Sequence, residues 1–105
     1  MKGKFIIVKT TCTNLAKAKK LAKILLQEKL AACVQLEAIE SFYSWEKKIT
    51  NSAEISLSIK TKKSCYKKIE KIILQNHNYE IPQILTIEIN QGLTKYLRWI
   101  DTNTK

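Results

Sequence analysis

A chain of 105 residues has room for one domain and not for two. Hydrophobic residues make up 45% of it, ordinary for a globular protein, and no apolar run approaches the ~20 residues a membrane helix needs. The net charge is +10, yet Arg98 is the single arginine among nineteen basic residues, which argues against bidentate recognition of bases or phosphates. Half of the lysines fall in Lys17–Lys23 and Lys62–Lys71. They read as solvated helix faces, so nucleic acid is not the expected partner. Cys12, Cys33 and Cys65 are odd in number, far apart and free of any Cys-x-x-Cys pair. That argues against a disulfide framework and a structural zinc site, and free thiols suit a reducing cytoplasm. The first residues are basic and then apolar, but the apolar run stops after Phe5–Val8 at Lys9. A secretory leader is therefore not expected, and the chain reads as soluble and cytoplasmic, with no membrane partner.

In chain order, Lys4–Thr11 is a short strand with Phe5 to Val8 buried. Thr13 and Asn14 supply a helix cap. Ala18, Leu21, Ala22 and Leu25 recur at helical spacing and predict a helix from about Leu15 to Leu30. Cys33 to Trp45 then forms a long strand without Gly or Pro. Because Glu37 and Glu40 fall on opposite parities, a bulge or change of face is expected within Glu37–Ser41. The turn is placed at Glu46-Lys47-Lys48 solely on the family resemblance described below. Thr50-Asn51-Ser52 is the competing site, and by turn chemistry alone the better one. The returning strand alternates cleanly over Ala53–Thr61. Ile55, Leu57 and Ile59 point one way, and Glu54, Ser56, Ser58 and Lys60 the other, which predicts one buried and one wet face.

Thr61 or Ser64 is expected to cap a second helix that runs to about Gln75, with Cys65, Ile69, Ile72 and Ile73 on its apolar side. Asn76 to Pro82 breaks it, since Pro82 pushes Ile81 into an extended conformation. A strand follows from Gln83 to Asn90, with Leu85, Ile87 and Ile89 on one side. Gly92 marks a turn, and Leu93, Tyr96, Leu97 and Ile100 define a last helix that frays from Asp101 onward. The order β-α-β-β-α-β predicts an α+β, ferredoxin-like sandwich with an extra C-terminal helix.

The hairpin is long for its body. Thirteen residues at about 3.3 Å each span roughly 43 Å, against a diameter of roughly 33 Å for a chain of this size. The hairpin should overhang its domain and carry Phe42, Tyr43 and Trp45 near the tip. Apolar surface of that kind is best covered in a symmetric oligomer.

Catalytic chemistry finds little support. Only Gly3 and Gly92 are present, so no Gly-rich phosphate loop exists, and no nucleophile is paired with His77, the one histidine. Cys12 reads as a loop thiol. Cys33 reads as a small buried residue at the start of its strand, with thiolate metal binding as the alternative. His77 lies in a loop with access to solvent. A copper or zinc site would draw on His77 and on Cys33 of the same or a neighbouring chain.

Several stretches together resemble the CutA divalent-cation-tolerance family. They are Lys29-Leu-Ala-Ala-Cys-Val34, Ser41-Phe-Tyr-Ser-Trp45, Glu54, Lys60-Thr61, His77-Asn-Tyr-Glu-Ile-Pro82 and Tyr96-Leu-Arg-Trp99. The resemblance covers Lys4 to Ile100. It implies a ferredoxin-like fold with a long central hairpin, a tight homotrimer, a cytoplasmic role in tolerance of copper and other divalent cations, and no enzymatic activity. Family members are similar in assembly to the trimeric PII signalling proteins, so the second reading is a signalling module that binds a small effector in clefts between subunits. In some members copper ligands are assigned to a cysteine ending the first strand and two successive histidines after the second helix. The corresponding residues here are Thr10, Asn76 and His77, so His77 alone keeps its residue type. Lys47 also departs from the glycine many members carry at the hairpin tip.

Overall fold

The structure is a computed structural model and describes residues 3–105. Four strands form one antiparallel sheet: β1 (Phe5–Cys12), β2 (Cys33–Trp45), β3 (Lys48–Lys62) and β4 (Ile84–Glu88), in the order β2-β3-β1-β4. Helix α1 (Leu15–Gln27) follows β1, α2 (Tyr66–Gln75) follows β3 through a short 3-10 turn, and α3 (Thr94–Thr102) closes the chain.

Alternation along the strands separates two layers. Ile6, Val8, Leu57 and Ile59 face α1 and α2 and meet Ala18, Leu21, Leu25, Ile69 and Ile73 in the main core. Phe5, of the opposite parity, packs with Leu97 and Ile100 of α3 on the other side. That second face is otherwise more open, and Leu85 and Ile87 stay 46% and 50% exposed on it.

Asn14 caps α1, its side chain accepting from the Lys17 N–H at 2.9 Å. The helix stops three residues before the expected Leu30. Lys29 takes a left-handed backbone, φ 55°. The Leu30 N–H then reaches the Leu25 carbonyl and the Lys29 N–H the Leu26 carbonyl. These two bonds are those of a Schellman stop, formed here without the usual glycine.

The hairpin has the expected strand β2 but no bulge. β2 and β3 pair one-for-one from Cys33↔Lys60 to Trp45↔Lys48. The parity conflict of Glu37 and Glu40 is absorbed because both lie on exposed parts of the strand, where neither face is committed to the core. The turn is a two-residue loop at Glu46 and Lys47, with φ 50° and 64°, the positive-φ pair of a type I′ turn. Thr50, Asn51 and Ser52 lie inside β3. The hairpin sets the long axis of the chain, whose extents are 44 × 26 × 22 Å.

Three further expectations give way to long-range contacts. Neither Thr61 nor Ser64 caps α2. Thr61 is fully buried and donates its hydroxyl to the Leu30 carbonyl at 2.6 Å, locking β3 to the exit of α1. The wet face of β3 is partly covered: Glu54 and Ser56 are buried, because Tyr79 reaches the first and Lys9 the second. The tail is docked, with the Lys105 N–H on the Lys29 carbonyl at 2.9 Å and Thr104 buried.

Candidate functional site

β1 ends at Cys12, which pairs with Ile55, so the outer half of the hairpin continues past it without a β1 partner. The segment from His77 to Gln83, thrown off the end of α2 and bent by Pro82, fills the space beside that overhang. Between arm and loop lies a cleft of about 810 Å³. Its lining includes Glu54, Tyr79 and Glu80, with Tyr43 and Trp45 from the arm and Thr11 from the end of β1.

A short chain of hydrogen bonds holds the loop in place. The Thr11 carbonyl can only accept, and His77 Nε2 lies 2.7 Å from it, so Nε2 carries the proton. His77 Nδ1 accepts from the Tyr79 N–H at 3.1 Å. The ring is thereby fixed as one neutral tautomer with both nitrogens engaged. The Tyr79 hydroxyl then donates to Glu54 Oε2 at 3.1 Å. Burial and the Glu54 carboxylate push the Tyr79 phenol up to about 12, so it acts as a donor across the neutral range.

Of the expected metal residues, Cys33 and His77 are not brought together within one chain. Cys33 pairs with Lys60, whereas His77 holds Thr11, which pairs with Ser56. Four strand residues separate those levels, roughly 13 Å at 3.3 Å each. Cys33 is half-buried on an edge strand, not fully buried. His77 would have to surrender a hydrogen bond to coordinate an ion. Thr10 lies fully buried in the core and its hydroxyl has no hydrogen-bond partner among the described residues, and Asn76 donates its side-chain amide to the Ile72 carbonyl. Cys12 is a buried strand residue and not a loop thiol. Burial pushes its thiol up, with Lys17 opposing and Glu54 adding, so a thiolate is disfavoured there. Among the described residues no group of three or more His, Cys, Asp or Glu side chains could hold a metal ion. One chain's donors therefore do not fit a resident copper ion.

Sequence reasoning did not single out Glu54 and Tyr79 as site residues. A glutamate within an otherwise serine- and lysine-bearing strand face was the available signal for the first. The second depends on where the loop returns in space, which no local pattern encodes.

The family model described as CutA1 divalent ion tolerance protein matches residues 6–103. The divalent-cation tolerance protein CutA of Archaeoglobus fulgidus is 38% identical over 91 residues, 87% of this chain and 89% of its own length. The chloroplastic CutA of Arabidopsis thaliana is 40% identical over 101 residues, 95% of this chain. The chain spans only 56% of that plant relative. The crystal structure of CutA1 from the psychrotrophic bacterium Shewanella sp. SIB1 matches with a TM-score of 0.94 at 36% identity, covering 99% of this chain and 98% of that one.

Proposed function

The chain belongs to the CutA1 divalent ion tolerance family, and on that premise we propose that it acts in divalent-cation tolerance as a cytoplasmic, non-enzymatic homotrimer of ferredoxin-like subunits. The observation that carries the assembly is the arm. Phe42 and Ile49 are 68% and 85% exposed near its end, and an apolar projection of this kind gains most by packing on a neighbour. Three free cysteines are consistent with a reducing compartment. The names of the relatives support the tolerance role.

Copper binding in this reading is weak. His77 must release the Thr11 carbonyl or the Tyr79 N–H before either nitrogen is available, and a thiolate partner has to come from Cys33 of a neighbouring chain. Titration of the reduced, tag-free protein with Cu(I), Cu(II) and Zn(II) tests this. A dissociation constant of roughly micromolar or weaker is expected from so few donors, reduced further by His77→Ala with the assembly intact. Nanomolar copper binding that survives both His77→Ala and Cys33→Ser contradicts the assignment.

A further inference from the structure

Helices α1 and α2 carry the same short pattern. Lys19-Lys-Leu-Ala-Lys-Ile-Leu-Leu26 and Lys67-Lys-Ile-Glu-Lys-Ile-Ile-Leu74 place lysines, leucine and core residues at matching positions. Each buries the third and seventh residue of the pattern: Leu21 and Leu25 in α1, Ile69 and Ile73 in α2. That turns the first, fifth and eighth outward, because i, i+4 and i+7 share one helix face. Lys19, Lys23, Lys67 and Lys71 are exposed, and Leu26 and Leu74 stay 42% and 53% exposed. The helices run antiparallel, so the start of α1 lies beside the end of α2, where Lys17 and Lys20 share a small pocket with Gln75 and Asn76. The two leucines therefore mark opposite ends of one basic patch.

The charge of this patch is uncompensated. α1 has four lysines and no acid, and α2 has three lysines and Glu70. Glu70 accepts from the Tyr66 hydroxyl at 2.7 Å. Among the described residues the ion pairs are those of Lys4 and Lys62 with Asp101, so none of these helix lysines is paired. A face that needs only solvation is served by mixed signs. Lys19 with Lys23, and Lys67 with Lys71, are instead like charges at i,i+4, which weaken a helix. We propose that the outer face of the helix pair docks an acidic polypeptide segment of another protein, its carboxylates against the lysines and its apolar side chains against Leu26 and Leu74. Nucleic acid fits less well. Neither helix has an arginine, and Tyr66, the one aromatic residue of the pair, is partly buried, so a stacking platform is missing. A bilayer fits less well too, since the apolar face of each helix is already buried in the core and is not available to insert. The patch covers the sheet face opposite the one that carries Leu85 and Ile87, and it takes in no residue of the arm. It stays open in the homotrimer proposed above and rests neither on that assembly nor on metal tolerance.

The test is calorimetric titration of the full chain, in its native assembly, with a synthetic glutamate-rich peptide bearing leucines. A length of about ten residues, extended at ~3.3 Å each, covers the ~20 Å of α1. The same peptide with serine for leucine, a thymidine oligonucleotide of equal charge and vesicles of anionic phospholipid are the comparisons. The leucine peptide should bind, less tightly as salt screens the charges, and should shift the backbone amides of α1 and α2 while leaving the hairpin unmoved. The serine peptide should bind about threefold more weakly or worse, as lost apolar contact requires. Lys23→Glu with Lys71→Glu, both at exposed positions, should weaken the leucine peptide at least tenfold with thermal denaturation and sedimentation unchanged. No binding of the leucine peptide overturns the proposal, as do amide shifts confined to the hairpin. Equal binding of the serine peptide overturns it as well, and so does tighter binding of the oligonucleotide or the vesicles.

Discussion

Strand β3 passes through two environments, and the contrast between them explains most of the molecule. At its inner end Leu57 and Ile59 are fully buried between β1 and the two covering helices. At its outer end Ile49 is 85% exposed, eight residues from Leu57 along the same strand. Ladder hydrogen bonding continues along both parts, so backbone pairing alone does not distinguish them. What differs is the layer that covers them. The inner part is a folding element, stabilised by apolar burial at about 25 cal/mol per Å². The outer part is a projection whose apolar side chains Phe42 and Ile49 stay exposed on the chain.

The largest expected effect separates the two ends directly. Ile59→Ala should cost about 2–5 kcal/mol in chemical denaturation, the range for a large-to-small change in a packed core. Ile49→Ala should change the stability of the isolated subunit by at most about 0.5 kcal/mol, as at an exposed site, while weakening association. Equal costs to the subunit at both positions would erase the distinction.

Titration probes the contacts that tie loop and tail to the sheet. Lys62 and Lys4 hold the Asp101 carboxyl below its ordinary value. A depressed carboxylate stabilises above its unfolded value and loses that contribution as pH falls through its folded one. Asp101→Asn should therefore flatten part of the acid limb of a stability–pH curve. Tyr79 is raised to about 12, so its contribution is complete below its unfolded value, about 10, and is lost as pH rises from there toward 12. Tyr79→Phe should remove that alkaline loss. An unchanged alkaline limb would mean the bond to Glu54 contributes nothing to folding.

The smallest effect sharpens the view of the arm. Glu46 and Lys47 both hold positive φ, which costs side chains with a Cβ about 1 kcal/mol apiece. Replacing the pair by Asn-Gly should stabilise the hairpin by about 1 kcal/mol in all, part of the gain being offset by glycine's greater freedom when unfolded. Thermal denaturation with amide exchange in the arm reads it out. Destabilisation would show that the tip side chains make contacts that outweigh the strain.

The same contrast governs how far the sequence was legible. β2 was delimited at Cys33 and Trp45, whereas the turn at Glu46-Lys47-Lys48 came from the family resemblance against local turn chemistry, and Lys48 in fact begins β3. Leu57 and Ile59 declared their burial by alternation, a local pattern tied to one covered face. The bulge was misjudged because alternation carries no information where a strand is uncovered. Buried Glu54, buried Ser56 and docked Thr104 were missed because each is set by a partner distant in sequence: Tyr79, Lys9 and the packing of α3. The candidate site was less legible than the fold for the same reason. His77 could be singled out by type, but the sequence did not reveal that both ring nitrogens already have partners.

Sedimentation equilibrium of the tag-free protein at micromolar concentration tests the central claim most directly, that the arm is an assembly element. The account predicts a single species at three times the subunit mass of 12.1 kDa, shifted toward lighter species by Phe42→Ser with Ile49→Ser. A wild-type protein that sediments as a monomer would contradict it.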